Sequence, residues 1–176
     1  MEKFISRVLF SKRKINRIVK KLANKITADY KDKNPVLVGM LKGCNPFISD
    51  LVKKLDFPLE ISYMIASSYK GTTSTGSVDI KLETDISLEG RNVIIIEDII
   101  DTGTTLSNIK KILSKSRPLS VELCTLLDKP SKRITTVDVK YIGAYINDYF
   151  VIGYGLDYNQ KYRNLPYIGI ISPEYI

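Results

Sequence analysis

Residues 92–106 read NVIIIEDIIDTGTTL, and the order of residue types in this stretch decides the fold. Val93 to Ile96 are β-branched and carry no charge, which is the pattern of a central parallel strand covered on both faces. Glu97 and Asp98 follow at once, where the strand reaches its carboxyl end. Asp101 opens a turn and Gly103 supplies permissive backbone. Leu106, Ile109, Ile112 and Leu113 then recur at helical spacing. The order is therefore strand, acidic turn, helix, and in open α/β sheets ligands bind in that crevice. The backbone N–H groups of Thr102 to Thr105 fall at a helix N-terminus, which suits a phosphate. The carboxylates beside them suit ribose hydroxyls or a hard metal ion.

Working outward, Ile15, Ile18, Val19, Leu22 and Ile26 predict an amphipathic helix over 11–31, its lysines and arginines mostly on the solvated face. Pro35 precedes a short buried strand over 36–41 that ends in Leu41-Lys42-Gly43. Asn45 is placed as an N-cap with Pro46 at the first helical position, and Phe47, Ile48, Leu51, Val52 and Leu55 form the inner face of that helix. Further strands are expected at 59–65, 79–83, 92–96, 120–127, 149–153 and 167–171, with a helix at 104–115. Residues 67–78, SSYKGTTSTGSV, are small and polar and read either as a passive hairpin loop or as a lid. Strands alternating with helices imply a right-handed βαβ arrangement. The expected class is α/β, a mainly parallel twisted sheet flanked by helices, in a single domain spanning 1–176.

Composition narrows the chemistry. Hydrophobic residues make up 44% and charged residues 26% of the 176, as in an ordinary soluble domain. No apolar run approaches the ~20 residues of a membrane span, and the N-terminus is too interrupted for a signal peptide, so a cytoplasmic location is expected. Cys44 and Cys124 form no metal or redox motif. Histidine is absent, which removes Ser-His and Cys-His nucleophiles and leaves acid–base work to Asp, Glu, Lys or Tyr. The net charge of +8 admits a lysine-rich solvated surface, a nucleic-acid surface, or a cationic site for a polyanionic small molecule; the basic residues are spread apart from SKRKINRIVKK, and the acidic turn favours the last. No GxxxxGK and no GxGxxG following a strand is present, so ATPase and dinucleotide readings are weak.

EDIIDTGTTL resembles the phosphoribosyl-pyrophosphate signature of type I phosphoribosyltransferases. VGMLKG at 38–43, SSYKGTTSTG at 67–76, LLDKP at 126–130 and FVIGYGLDYNQKYRNLPYIG at 150–169 extend the resemblance over nearly the whole chain, toward the bacterial hypoxanthine-guanine branch of that family. The resemblance implies a small hood formed by the terminal segments. It also implies transfer of a phosphoribosyl group to a 6-oxopurine in purine salvage, with Mg²⁺ as cofactor and a homodimer or homotetramer as the assembly. Neither nucleic acid nor membrane is expected as a partner.

Carried over by position, the resemblance makes Asp101 the general base or acid at purine N7. It gives Glu97 and Asp98 to the ribose hydroxyls, directly or through Mg²⁺, and Thr102, Gly103, Thr104 and Thr105 to the 5′-phosphate. Lys42 and Gly43 become the pyrophosphate loop, with Arg163 as a second pyrophosphate contact. Lys129 would donate to the 6-oxygen, Phe150 would stack on the base, and Val151 would offer backbone groups to its edge. Asp157 would belong to the purine-binding set and position Mg²⁺ on the pyrophosphate side, so that the metal set is Glu97, Asp98 and Asp157. Ser68 and Tyr69 would close as a lid. Read without the resemblance, Asp101 is also compatible with a helix cap, Phe150 with core packing, and Lys129 and Arg163 with solvated surface. The remaining alternatives in function are another base, xanthine first, and a nucleic-acid-binding regulator on the same fold.

Overall fold

A computed structural model describes residues 4–68 and 78–175. Strand β1 (Ile5–Phe10) leads into helix α1 (Lys12–Tyr30), where Ser11 Oγ accepts from Lys14 N at 3.3 Å as an N-cap. Ile15, Val19, Leu22 and Ile26 point inward and are buried, as their spacing requires. Strand β2 (Val36–Met40) runs into helix α2 (Asn45–Val52), and β3 (Glu60–Ser68) turns back as β4 (Val78–Leu82). Strand β5 (Asn92–Ile100), helix α3 (Thr104–Ser114) and strand β6 (Ser120–Asp128) form the central βαβ unit. Strands β7 (Tyr141–Tyr145), β8 (Val151–Ile152) and β9 (Ile168–Ile171) complete the described chain.

Six strands form one sheet in the order β4-β3-β2-β5-β6-β7. Every neighbour pair is parallel except β3 with β4. The two central strands, β2 and β5, are buried on both faces because side chains alternate across a strand. Leu37, Ile94 and Ile96 join one core with α1 and α2, while Val36, Val38, Val93 and Ile95 join a second core with α3. Each such branched side chain contributes roughly 1.5–3 kcal/mol by leaving water. A second, antiparallel sheet of order β1-β9-β8 joins the N-terminal and C-terminal segments, with Ile5, Ile152 and Ile171 at its heart. This is the hood.

The structure differs from the sequence reading at several boundaries. β5 does not stop at Ile96: its pairing with β6 continues through Ile99↔Leu127 and Ile100↔Asp128. The acidic pair therefore stands inside a strand. Asn45 is the first helical residue of α2, and Cys44 occupies the cap position with no side-chain cap bond. β1 and β7 were not anticipated. Arg7 interrupts the apolar pattern of β1, and the short YIGAY of β7 carries little periodicity of its own. β3 and β4 reach further into 67–78 than expected, and residues 69–77, with the lid residue Tyr69, lie outside the described residues. Ser68 closes β3.

Candidate active site

β5 delivers the chain to the carboxyl edge of the sheet, where residues 101–103 bend and α3 begins. Gly103 stands at the N-cap position with φ 80° and offers no side chain for capping. A Cβ there would lie 2.5 Å from the Thr135 carbonyl oxygen, so both the backbone angle and the close approach require glycine. Asp101 is not the cap. Its half-exposed carboxylate lies 3.3 Å from Nζ of Lys129. Lys129 is the single buried lysine among the described residues, at 7% exposure, and a buried ammonium needs such a partner.

Two cavities meet along this turn. One, of about 260 Å³, is lined by Asp98, Asp101, Lys129, Phe150, Val151 and Asp157, with Ile99 and Leu156 behind them. The other, of about 180 Å³, is lined by Glu97, Asp101, Thr102, Gly103 and Thr105, with Ile99, Ile100 and Leu106 completing it. Asp101 and Ile99 form the shared wall. Phe150 is 41% exposed, which rules out a purely core role; its ring meets Tyr158 edge-on at 5.5 Å. Thr104 lines neither cavity, and its hydroxyl lies 3.0 Å from that of Thr135.

Glu97 and Asp98, adjacent on a strand, face different cavities. Burial, with the neighbouring Asp98 charge, pushes the Glu97 carboxyl well above its ordinary range. Its Oε2 is buried without a hydrogen-bond partner among the described residues. Burial likewise raises Asp98, to about 6, against the opposing pull of backbone N–H groups; Ile99 N donates to its Oδ1 at 2.8 Å. Gly43 rests directly on this carboxylate, since a Cβ at that position would fall 1.7 Å from Asp98 Oδ2. The Lys42–Gly43 turn is thereby held over β5, and the Leu41–Lys42 peptide is cis.

Lys42 and Arg163 line neither cavity. Arg163 Nη1 donates to the Gly155 carbonyl at 2.7 Å and Nη2 pairs with Asp157 Oδ1 at 2.6 Å. The other oxygen of Asp157 accepts from Gln160 N at 2.9 Å. Among the described residues no group of three or more acidic, cysteine or histidine side chains converges as a metal cage. The sequence reading missed Leu156 as a cavity wall, and it missed Asp128 and Thr135, which pack behind the 101–104 turn. LLDKP pointed to Lys129 alone; nothing local marks the segment beyond it as part of the site.

The family model described as phosphoribosyl transferase domain matches residues 8–159. The hypoxanthine-guanine phosphoribosyltransferase of Staphylococcus epidermidis is 48% identical over 175 residues, covering 99% of this chain and 98% of the relative. A crystal structure of a hypoxanthine phosphoribosyltransferase from Staphylococcus aureus superposes with a TM-score of 0.94 at 48% identity, over 97% of this chain and 94% of that one. The bifunctional protein TilS/HprT of Listeria innocua is 46% identical over 175 residues, 99% of this chain, but the chain spans only 27% of that relative's length.

Proposed function

This chain belongs to the phosphoribosyltransferase family, and from that footing we propose that it transfers the phosphoribosyl group of 5-phosphoribosyl 1-pyrophosphate to N9 of hypoxanthine or guanine. The products are the nucleoside monophosphate and pyrophosphate, and the role is purine salvage in the cytoplasm, by one phosphoribosyltransferase domain assembled as a homodimer or homotetramer. One observation carries the reading. A cavity with a buried lysine and an exposed aromatic ring adjoins a cavity lined by helix N-terminal residues, and a single carboxylate, Asp101, stands on the wall between them. A free 6-oxopurine bound with its proton on N7 presents an N–H donor and the O6 acceptor side by side on one edge, and the Asp101 carboxylate and the Lys129 ammonium stand side by side to meet that edge.

In this mechanism Lys129 donates to the 6-oxygen and Phe150 covers the ring, while Val151 holds its edge through backbone groups. Thr102, Gly103, Thr104 and Thr105 fix the 5′-phosphate at the start of α3. The N9 lone pair forms the bond to C1′ as the bond from C1′ to pyrophosphate breaks, and pyrophosphate leaves with that electron pair. The proton lost from the purine passes from N7 to the Asp101 carboxylate. Lys42, Gly43 and Arg163 receive the departing polyanion, the kind of charge stabilisation that is usually the largest catalytic contribution. The lid role is proposed for Ser68 and Tyr69.

Mg²⁺ fits this donor set. The unpartnered buried Oε2 of Glu97 and the raised carboxyl of Asp98 are oxygens that a cation would satisfy. Mg²⁺ commonly uses one or two carboxylates and completes its shell with substrate phosphates, so a complete protein cage is not needed. Glu97 and Asp98 would hold it on the ribose side and Asp157 on the pyrophosphate side; when bound it would offset the charge of the pyrophosphate. The test is a panel of hypoxanthine, guanine, xanthine, adenine and uracil with phosphoribosyl pyrophosphate, with Mg²⁺ and with excess chelator. Nucleotide is expected from hypoxanthine and guanine and only with Mg²⁺. Product from uracil or adenine alone would overturn the base assignment, and full turnover in chelator the metal assignment.

A further inference from the structure

The turn between β5 and α3 is held from behind along three consecutive carbonyls. Lys129 N donates to the Ile100 carbonyl at 2.9 Å, and Ile134 N and Thr135 N both donate to the Thr102 carbonyl at 3.0 Å. The carbonyl between them, that of Asp101, is engaged by a side chain instead: Arg133 Nη1 donates to it at 2.6 Å. Nη2 of the same guanidinium pairs with Oδ1 of Asp128, the last residue of β6, which is buried at 5% exposure. The arginine is therefore anchored in the sheet at one end and on the turn at the other, with its charge already balanced.

A trans peptide is planar and carries its C=O and N–H on opposite sides. Holding the Asp101 carbonyl against Arg133 turns the Thr102 N–H the other way, away from the guanidinium, and Thr102 itself lines the second cavity with Gly103 and Thr105. The Thr102 and Gly103 N–H groups find no acceptor among the described residues, which leaves both open to a ligand. We infer that Arg133 is a positioning residue for the phosphate half of the site: by fixing the Asp101–Thr102 peptide plane it presents the Thr102 N–H to the 5′-phosphate. The Ile100 and Thr102 carbonyls have backbone partners, so their flanking peptides hold without help from any side chain. The Asp101 carbonyl depends on one arginine, and that is why a single substitution can reach it. Lysine is not a substitute, because a point-charge ammonium that stays on Asp128 lacks the second arm of the planar fork.

This inference rests on the phosphoribosyl reading of the site, and the experiment separates the two. Inosine monophosphate and inosine differ only by the 5′-phosphate, so their affinities for the full chain, measured by calorimetry, isolate that contact. Wild type, Arg133→Lys and Arg133→Met are compared, each with a thermal melt. In both variants the monophosphate should bind roughly tenfold more weakly or worse, as expected for losing a hydrogen bond to a charged group. Inosine should stay within about twofold, on the scale of a few tenths of a kcal/mol. Arg133→Lys should melt close to wild type, since it keeps the contact with Asp128, and so remains informative if Arg133→Met folds poorly. Equal weakening of both ligands, or unchanged affinities in Arg133→Lys, would overturn the positioning role alone. A wild type that does not prefer the monophosphate would overturn the phosphate-site reading itself, and this inference with it.

Discussion

The two cavities that meet at Asp101 are built by opposite means. The cavity proposed for the phosphate comes from one unbroken stretch, Glu97 to Leu106, and would work largely through backbone at the start of α3. The base side draws on three separate stretches, Asp98–Asp101, Lys129 and Phe150–Asp157, and offers mainly side chains. One half should tolerate changes of side chain but not of backbone freedom. The other should behave the opposite way.

The largest effect is expected at the shared wall. Asp101→Asn keeps the shape and removes the proton acceptor, so kcat should fall roughly 10²–10⁴-fold. Because Gly103 and not Asp101 holds the cap position, no helix cap is lost, and any fall in melting temperature reports the buried Lys129 ammonium losing its charged partner. Single-turnover rates are the measurement, since slow product release could hide a loss in the chemical step. Unchanged rates would take Asp101 out of the proton path and leave that task to another Asp, Glu, Lys or Tyr, since the chain has no histidine.

Lys129→Met sharpens the base side. It removes a charged donor worth about 1.5–3 kcal/mol, so kcat/KM for hypoxanthine and guanine should drop roughly 10–150-fold while phosphoribosyl pyrophosphate binding holds. Collapse of phosphoribosyl pyrophosphate binding instead would assign Lys129 to the phosphate side and break the comparison.

Gly103→Ala tests the phosphate side. A Cβ at φ 80° meets the Thr135 carbonyl oxygen, and left-handed backbone costs a non-glycine residue about 1–2 kcal/mol. The KM for phosphoribosyl pyrophosphate should rise roughly tenfold, a loss of about 1.4 kcal/mol, with the base KM little changed. A wild-type KM would show that the turn is not what binds phosphate.

The last effect is on stability and leaves turnover aside. The fold raises the Asp98 carboxyl from 3.8 to about 6, so the folded chain holds a proton that the unfolded chain releases. That contribution is full below about pH 4 and is lost as pH rises through 6, costing at most ~3 kcal/mol above it. Asp98→Asn keeps an acceptor for Ile99 N and removes the charge. Without ligand it should melt a few degrees above wild type at pH 8, and the gap should narrow toward pH 5. A gap independent of pH would mean that Asp98 is not the titrating group.

The contrast between the halves also marks what was legible in the chain. The NVIIIEDIIDTGTTL stretch carries its own strand, turn and helix in local periodicity and turn chemistry, so the βαβ unit and the turn that opens α3 could be read from it. Local physics decides there because the contacts that matter lie within a few residues. The run past Ile96 was misread because an acidic pair looks like a strand end; only the partner strand β6, pairing as far as Ile100↔Asp128, keeps that backbone extended. β1 found its place by pairing with β9 from the far end of the chain, and no window of sequence contains both. Tertiary structure likewise brought Lys129 within 3.3 Å of Asp101, turned Glu97 and Asp98 to different cavities, and set Arg133 on the Asp101 carbonyl. Composition excluded histidine chemistry, and residue pattern pointed to the end of β5, where the two cavities lie. Which side chains face one another there depended on packing between distant segments, because burial and hydrogen bonding act through space and not along the chain.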